Sequence, residues 1–416
     1  MAAAAGAGGM ARVDSVEVDF IEDGVARTGR GERIGSGSGG RVFEFLDSVL
    51  KVTKEGDVAE AMRLTADEIA KLTEAGGIAN AIQLKSPDII RTRDGSPALL
   101  MEKAVGFPLN DLIRYGALKE QDICNIAKAL VDTVLDLDKK QIFHGDIKPA
   151  NLIYDSLTGR LQVLDWALLA PKGHYASGLS EGDRYDKFTP GYRPPGWIQG
   201  QMPRYPDLWS VACTIVEAAT GRALFRYKVR EGDEANQVLM AVICHVLEVP
   251  PPPGFFDANP VGNRAIFGGF VSRLEFWPLL QLREVIDDLP KDLRPFIKAV
   301  LTLKDSPTLE VLRELPGMRN TLTFFYQAPA ADQRISEMRL FVDRVGVWTA
   351  PEEGTAGARY QIPAAGKYVA QWLQDGTRGE QALAIKELAC LSFAGRWVVR
   401  TPDGAYLAPP TGCAVS

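Results

Sequence analysis

Paired cysteines are missing from this chain. Its five cysteines, Cys124, Cys213, Cys244, Cys390 and Cys413, are scattered and never spaced as CxxC. That argues against a disulfide framework or a thiolate metal site and fits a reducing cytoplasm. Histidine is scarce as well: only His144, His174 and His245 occur, so no His/Cys cluster with zinc spacing can be assembled. No run of about 18 apolar residues exists, and no membrane-spanning helix is expected. The opening "MAAAAGAGGMARVD" lacks a basic start and a Leu-rich core, so it does not read as a secretory signal; residues 1–15 are expected to be a disordered tail. A basic excess is lacking too. With 47 Lys+Arg against 53 Asp+Glu the formal charge is −6, which disfavours a nucleic-acid partner held through phosphate neutralisation. No internal repeat is found.

What is present is the composition of an ordinary soluble protein, 46% hydrophobic and 24% charged. At 416 residues the chain is too long for one simple core, and two or three units are expected. Residues 16–105 are strand-rich, with "SVEVDFIE", "RVFEFLD" and "SVLKVTK". They also contain one helix, "DVAEAMRLTADEIAKLTEAGG", closed by glycines, and two short strands, "DIIRTR" and "PALLMEK", around Asp94-Gly95. Residues 106–327 read as mainly helical, interrupted by the hairpin-like "LIYDSLTGRLQVLDW", a polar loop over 168–197 and the Pro-rich segment from 249. Residues 328–416 read as a small α+β accessory domain. It has one helix over "ISEMRLFVDRVGVW", then "GKYVAQWLQ", and a last hairpin turning on Asp403-Gly404.

Three stretches carry chemistry. In "IGSGSGGRVFEF", Gly35, Gly37 and Gly40 stand in G-x-G-x-x-G spacing, with Val42 two residues on. Glycines let backbone amides approach phosphate oxygens where a Cβ would collide. Because the stretch runs into another strand and not into a helix, it reads as a strand–loop–strand lid rather than a dinucleotide fingerprint. In "VLKV", Lys51 lies eleven residues past Gly40 in an apolar strand, and Val49 shares its face. A lysine there can hold phosphates, and its burial requires a carboxylate partner. The helix offers Glu60, Glu68 and Glu74; Glu68, mid-helix with Leu64 and Leu72 at four-residue spacing, is preferred.

The third stretch is "FHGDIKPANLIYD", residues 143–155. Asp146 can accept the proton of an incoming hydroxyl. Lys148 can neutralise a transferring phosphoryl group, and Asn151 can bind a metal ion. The hairpin that follows returns to "VLDW", whose Asp165 is expected to meet Asn151 at its mouth and share magnesium, an ion that takes a few oxygen ligands plus substrate phosphates.

Taken in this order, the motifs resemble the eukaryotic-like Ser/Thr protein kinase family, in a bacterial-type variant with HGD and DWA in place of HRD and DFG. The resemblance covers about residues 25–325. It implies a bilobal α+β fold, a β-rich N-lobe and a larger helical C-lobe, with ATP and Mg2+ in the cleft between them. On it, Gly35, Gly37, Gly40 and Val42 form the Gly-rich loop, and Lys51 pairs with Glu68. Asp146 and Lys148 are catalytic, and Asn151 and Asp165 hold metal. "LLMEKAVGFPL" resembles the hinge, with Met101 the gatekeeper and backbone at Glu102 and Ala104 bonding adenine; Val49 and Ile153 are included in the nucleotide site. "FTPGYRPPGW" resembles the segment in which Thr189 reaches the catalytic Asp and Lys. "YPDLWSVACTIVEAATGRALF" resembles the buried helix whose Asp207 holds the catalytic loop. The partners implied are protein substrates with Ser/Thr hydroxyls, in the cytoplasm, with docking through the C-terminal domain as a further option.

The chain departs from the family pattern in four places. Gly145 replaces the arginine that pairs with a phosphorylated activation loop, which questions phosphate-driven activation. Gly196 replaces the glutamate of A-P-E. Trp166 is larger than phenylalanine but fits an apolar site, and Ala167 lacks glycine's freedom at φ > 0. Two alternatives stand beside the first reading. One is a small-molecule kinase of the aminoglycoside/choline kinase-like type, which shares "HGD" and "DW" but lacks Lys148 and the "TPGY" segment. The other is a nucleotide-binding pseudokinase.

Overall fold

The computed structural model describes residues 15–318, apart from 23–24, 38–39, 54–56, 181, 230–233, 275–278, 280, 305 and 316–317, together with eight strands between residues 321 and 407. The tail expected over 1–15 lies outside the described residues except for Ser15, which opens the first strand.

Alternation of side chains builds the N-terminal sheet. Its strands are β1 (Ser15–Glu22), β2 (Val25–Gly37), β3 (Gly40–Phe45), β4 (Ser48–Thr53), β5 (Ile90–Arg91) and β6 (Pro97–Glu102), in spatial order β1-β2-β3-β4-β6-β5. Leu50 and Val52 of β4 join Val16, Val18, Phe43, Phe45 and Ala98 in one apolar cluster. Val49 and Lys51, one residue out of step, therefore face the other way. That second face is covered by α1 (Val58–Glu74), capped at its start by Asp57, whose carboxylate accepts from the Ala59 N–H at 3.1 Å. Its buried positions, Ala61, Thr65, Glu68, Ile69 and Leu72, fall on one stripe of a 3.6-residue period. Glu68 thus shares a stripe with apolar residues and points under the sheet.

β6 leads through β7 (Phe107–Pro108) and α2 (Leu109–Arg114) into the helical part. There α3 (Glu120–Lys139) buries Ile123, Ile126, Ala127, Leu130, Val131, Val134 and Leu137 on one face. Next come β8 (Ile142–Phe143), the hairpin β9 (Leu152–Asp155) with β10 (Arg160–Val163), and β11 (Ala170–Pro171), which pairs with β8. Two short helices, α4 (Asp183–Asp186) and α5 (Pro195–Ile198), punctuate the segment before α6 (Leu208–Thr220). Unlike α3, α6 is apolar nearly all round and buried nearly all round, the mark of a central helix. α7 (Ala235–Leu247) follows, with Glu234 accepting from the Asn236 and Gln237 N–H groups. No described helix is long and apolar enough to cross a membrane.

β2, the strand that opens the strand–loop–strand lid, runs for 13 residues through the polar, Gly-rich "VARTGRGERIGSG", its register coming from the flanking strands. Three readings of secondary structure are corrected. The helical character expected up to 327 ends earlier, because β12 (Thr321–Phe325) is a strand. The helix expected over 335–348 is two antiparallel strands, β13 (Ile335–Val342) and β14 (Val345–Thr349). Apolar residues there recur at every second position, as in Met338, Leu340 and Val342, and β-branched residues are frequent, so the period of two prevails. The remaining strands, β15 (Arg359–Pro363), β16 (Tyr368–Gln374), β17 (Thr377–Leu383), β18 (Val398–Arg400) and β19 (Tyr406–Leu407), complete two four-stranded sheets, β15-β12-β18-β19 and β14-β13-β16-β17. β18 and β19 pair as the last hairpin was expected to; the Asp403-Gly404 turn lies outside the described residues. Among the described residues this C-terminal region is strand, where an α+β extension was expected.

Candidate active site

β4 projects Lys51 toward α1, where Glu68 waits on the inner stripe. Lys51 Nζ lies 2.5 Å from Glu68 Oε1 and 3.7 Å from Asp165 Oδ1, and the side chains of Lys51 and Glu68 are each only 11% exposed. Burial works against the Lys51 charge, but the Glu68 and Asp165 carboxylates outweigh it and raise its pKa above the ordinary lysine value. Glu60 is instead spent on Arg63 at the surface, and Glu74 is exposed. The carboxylate preferred from the sequence is the one at Lys51.

The catalytic-loop stretch is fixed from below. Asp207, at the head of α6 and 1% exposed, accepts from the His144 N–H at 2.7 Å and the Gly145 N–H at 2.8 Å, one on each carboxylate oxygen. Burial pushes the Asp207 carboxyl up, and the two amides counter it. The buried His144 ring accepts from the Asp146 N–H through Nδ1 at 3.1 Å and meets the Leu164 carbonyl through Nε2 at 3.0 Å. Trp166, fully buried, packs edge-on to that ring at 4.6 Å and donates Nε1–H to the Val163 carbonyl at 3.0 Å. The larger ring thus fills the apolar site and satisfies its own donor.

Asp146 emerges from this base with both carboxylate oxygens hydrogen-bonded. Oδ2 accepts from Lys148 Nζ at 2.8 Å and Asn151 Nδ2 at 2.9 Å. Oδ1 accepts from Thr189 Oγ1 at 2.6 Å and Thr189 N–H at 3.3 Å. Lys148 Nζ also donates to Thr189 Oγ1 at 2.7 Å, closing a triangle of Asp146, Lys148 and Thr189. Asn151 Nδ2 makes a second bond to the Asp146 carbonyl at 2.8 Å, so its Oδ1 is the atom left to meet a cation. The left-handed backbone that the D-W-A stretch needs falls on Asp165 itself (φ 55°), a residue type that tolerates it; Ala167 lies in the short turn Trp166–Leu168.

Of these groups, Lys51, Glu68, Asn151, Asp165 and Trp166 border one cleft of about 280 Å³ between the N-terminal sheet and the helical part. Its walls include Val42, Val49, Lys51 and Glu68, then Met101, Glu102 and Ala104, then Asn151, Ile153 and Asp165. Gly35 and Gly37 are register partners of Val42 and Gly40 on the hairpin of β2 and β3, whose tip, 38–39, lies outside the described residues. Gly40 has a structural reason of its own: a Cβ there would stand 2.4 Å from the Val52 carbonyl oxygen. Ile34, Leu72, Ile82 and Leu164 also line the cleft, beside Trp166 of the D-W-A stretch. Those four were missed because an apolar wall residue carries no polar signature. Asp146 stands one step outside the wall, bonded to it through Asn151, and Lys148 follows behind Asp146.

The fit to a nucleoside triphosphate and a hard cation can be judged on these atoms. Apolar side chains from both lobes suit a flat base. No described hydrogen bond engages the Ala104 N–H, which leaves an amide donor in the hinge strip at the cleft wall. Asn151 Oδ1 and the Asp165 carboxylate, 38% exposed, are oxygen donors on the same cleft, a donor set suited to magnesium.

The description "Protein kinase domain" matches residues 29–306, more than half of the chain. The chain belongs to the protein kinase family. Its similarity to mitogen-activated protein kinase kinase kinase 1 of Mus musculus is 34% identity over 112 residues, 27% of this chain and 8% of that one. To the serine/threonine-protein kinase RUNKEL of Arabidopsis thaliana it is 30% over 159 residues, 38% and 11% of the two chains. To the serine/threonine-protein kinase sid1 of Schizosaccharomyces pombe it is 29% over 222 residues, 52% and 42%. The chain therefore spans less than half the length of each of these relatives. Within the kinase domain, the β-rich and helical parts with the cleft between them form the expected bilobal fold.

Proposed function

We propose that the protein transfers the γ-phosphoryl group of ATP to serine and threonine hydroxyls of protein substrates. The observation that carries this reading is the Asp146–Lys148–Thr189 triangle, set beside the cleft that holds the Lys51–Glu68 pair and Asp165. Lys51, kept charged and oriented by Glu68, anchors the inner phosphates. Asp146 orients the incoming hydroxyl and takes its proton as the new O–P bond forms and the bond from phosphorus to the departing ADP oxygen breaks. Lys148 offsets charge on the transferring group, and Thr189 fixes Asp146 and Lys148 relative to each other. Asn151 and Asp165 would hold a magnesium ion, which would supply charge neutralisation to the phosphates. Little covalent chemistry is asked of the protein; positioning and electrostatics supply most of the rate.

The test offers the full chain ATP with magnesium, together with a panel of generic protein substrates, aminoglycosides and amino alcohols, followed by phosphoamino-acid analysis. Phosphoserine and phosphothreonine support the reading. Phosphate appearing only on small alcohols, or on nothing, overturns it.

A further inference from the structure

We propose that Lys187 and Arg193 form a permanent clamp that positions Thr189 on Asp146, so that the site needs no phosphate on the segment between Asp165 and Trp197. This rests on the kinase reading above and goes beyond it in naming what replaces a phosphate.

Arg193 is a buried cation, 4% exposed, with no carboxylate within ion-pair distance among the described residues. Its guanidinium is committed to neutral oxygens. Nε donates to the Lys187 carbonyl at 3.2 Å and Nη1 to Asn236 Oδ1 at 2.8 Å. Nη2 donates to the Tyr185 carbonyl at 3.2 Å and the Phe188 carbonyl at 3.0 Å. Three carbonyls in a span of four residues are thus gathered by one rigid fork.

Lys187 grips from the opposite side, its ammonium donating to the Leu168 carbonyl at 3.0 Å. The carbonyl before it, that of Ala167, accepts from Lys71 of α1 at 2.6 Å. The two ends of the segment are therefore tied together and to the helix that carries Glu68. Immediately past the clamp, the Phe188 N–H donates to the Gly145 carbonyl at 2.7 Å, and Thr189 reaches Asp146.

Two further facts fit a clamp without phosphate. Position 145 is glycine at φ 79°, so it offers no side chain to a phosphate, and a Cβ there would crowd, at 3.2 Å, the Leu168 carbonyl that Lys187 holds. Tyr175, one of the segment's hydroxyls, is 5% exposed and packed among Phe143 and Trp197, closed to a modifying enzyme.

Lys187 and Arg193 are positioning residues, and the experiment separates positioning from mere stability. The full chain is treated with phosphatase, and mass spectrometry verifies that residues 165–197 carry no phosphate. Its kcat is expected to stay within about twofold of the untreated protein. Lys187→Met should lower kcat about 10- to 100-fold, the value of one charge-assisted hydrogen bond, while KM for ATP stays within about twofold. Lys187→Arg should recover most of the loss. Hydrogen exchange at 185–189 should quicken in Lys187→Met and return to the wild-type rate in Lys187→Arg. Should Lys187→Met fail to fold, Lys187→Gln is judged by the same readouts. Activity lost on phosphatase treatment, or unchanged kcat and exchange in the Met variant, overturns the clamp. If the wild type transfers phosphate to nothing, the kinase reading fails, while the exchange rates still decide the clamp.

Discussion

Thr189 Oγ1 lies 2.6 Å from Asp146 Oδ1 although 43 residues separate them in the chain. The same hydroxyl accepts from Lys148, so Thr189 is where the segment after Asp165 meets the catalytic loop. Thr189→Val keeps the shape and removes both bonds. It is expected to lower kcat about 10- to 100-fold, with Thr189→Ser near wild type. Steady-state kinetics on a protein substrate checks this; a Val variant with full kcat contradicts it.

The Lys51–Glu68 pair is nearly buried, so removing one partner strands the other. Lys51→Met is expected to weaken ATP binding and to destabilise the fold by about 3 kcal/mol, read by denaturant titration. The pH dependence has a definite sign. The folded pKa of Lys51 is raised above its ordinary value of 10.5, so the stability its charge contributes is fully present below that value. It is lost only as pH rises through the higher folded value. The difference between wild type and variant should be flat from about pH 7 to 9 and shrink in strong alkali. A deficit that disappears near neutrality contradicts the assignment.

Asp207 satisfies two buried amides at once. Asp207→Asn leaves one of them facing an N–H donor, and should cost about 1–3 kcal/mol of stability with a marked fall in kcat, since the loop bearing Asp146 loses its base. Thermal melts alongside kinetics test this. Unchanged values in both mean that the loop is held by something else.

Gly145 occupies the left-handed region at φ 79°. Gly145→Ala should cost about 1–2 kcal/mol through backbone strain alone, measured as a lower denaturation midpoint with an unchanged m-value. An unaffected midpoint means that the loop adopts another backbone in solution.

The site's polar groups were legible because each carries a residue type that its position demands and because they come in order. Lys51 in an apolar strand called for a buried acid, and Glu68 stood on the right helical stripe. Asp146, Lys148 and Asn151 sit within one short loop, while Thr189 and Asp207 were indicated only by the resemblance of "FTPGYRPPGW" and "YPDLWSVACTIVEAATGRALF" to kinase segments. The cleft's apolar walls were less legible: Ile34, Leu72 and Ile82 are ordinary core residues until the fold brings them to one surface. Arg193 was passed over because nothing in sequence distinguishes an arginine bound to carbonyls from one in water. The length of β2 was hidden because its register is imposed by neighbouring strands, and the strands from Ile335 to Thr349 because their apolar residues also fit a helical count.

The central claim is that Asp146, in its cage of Lys148, Asn151 and Thr189, turns a bound ATP into a phosphoryl donor for protein hydroxyls. The most direct measurement compares wild type and Asp146→Ala for transfer of labelled phosphate from ATP to a protein substrate, with nucleotide affinity measured in parallel. Transfer lost in the variant with ATP affinity kept within about threefold is the result expected of a group that acts on the hydroxyl rather than on the nucleotide. Equal labelling by the two proteins contradicts it.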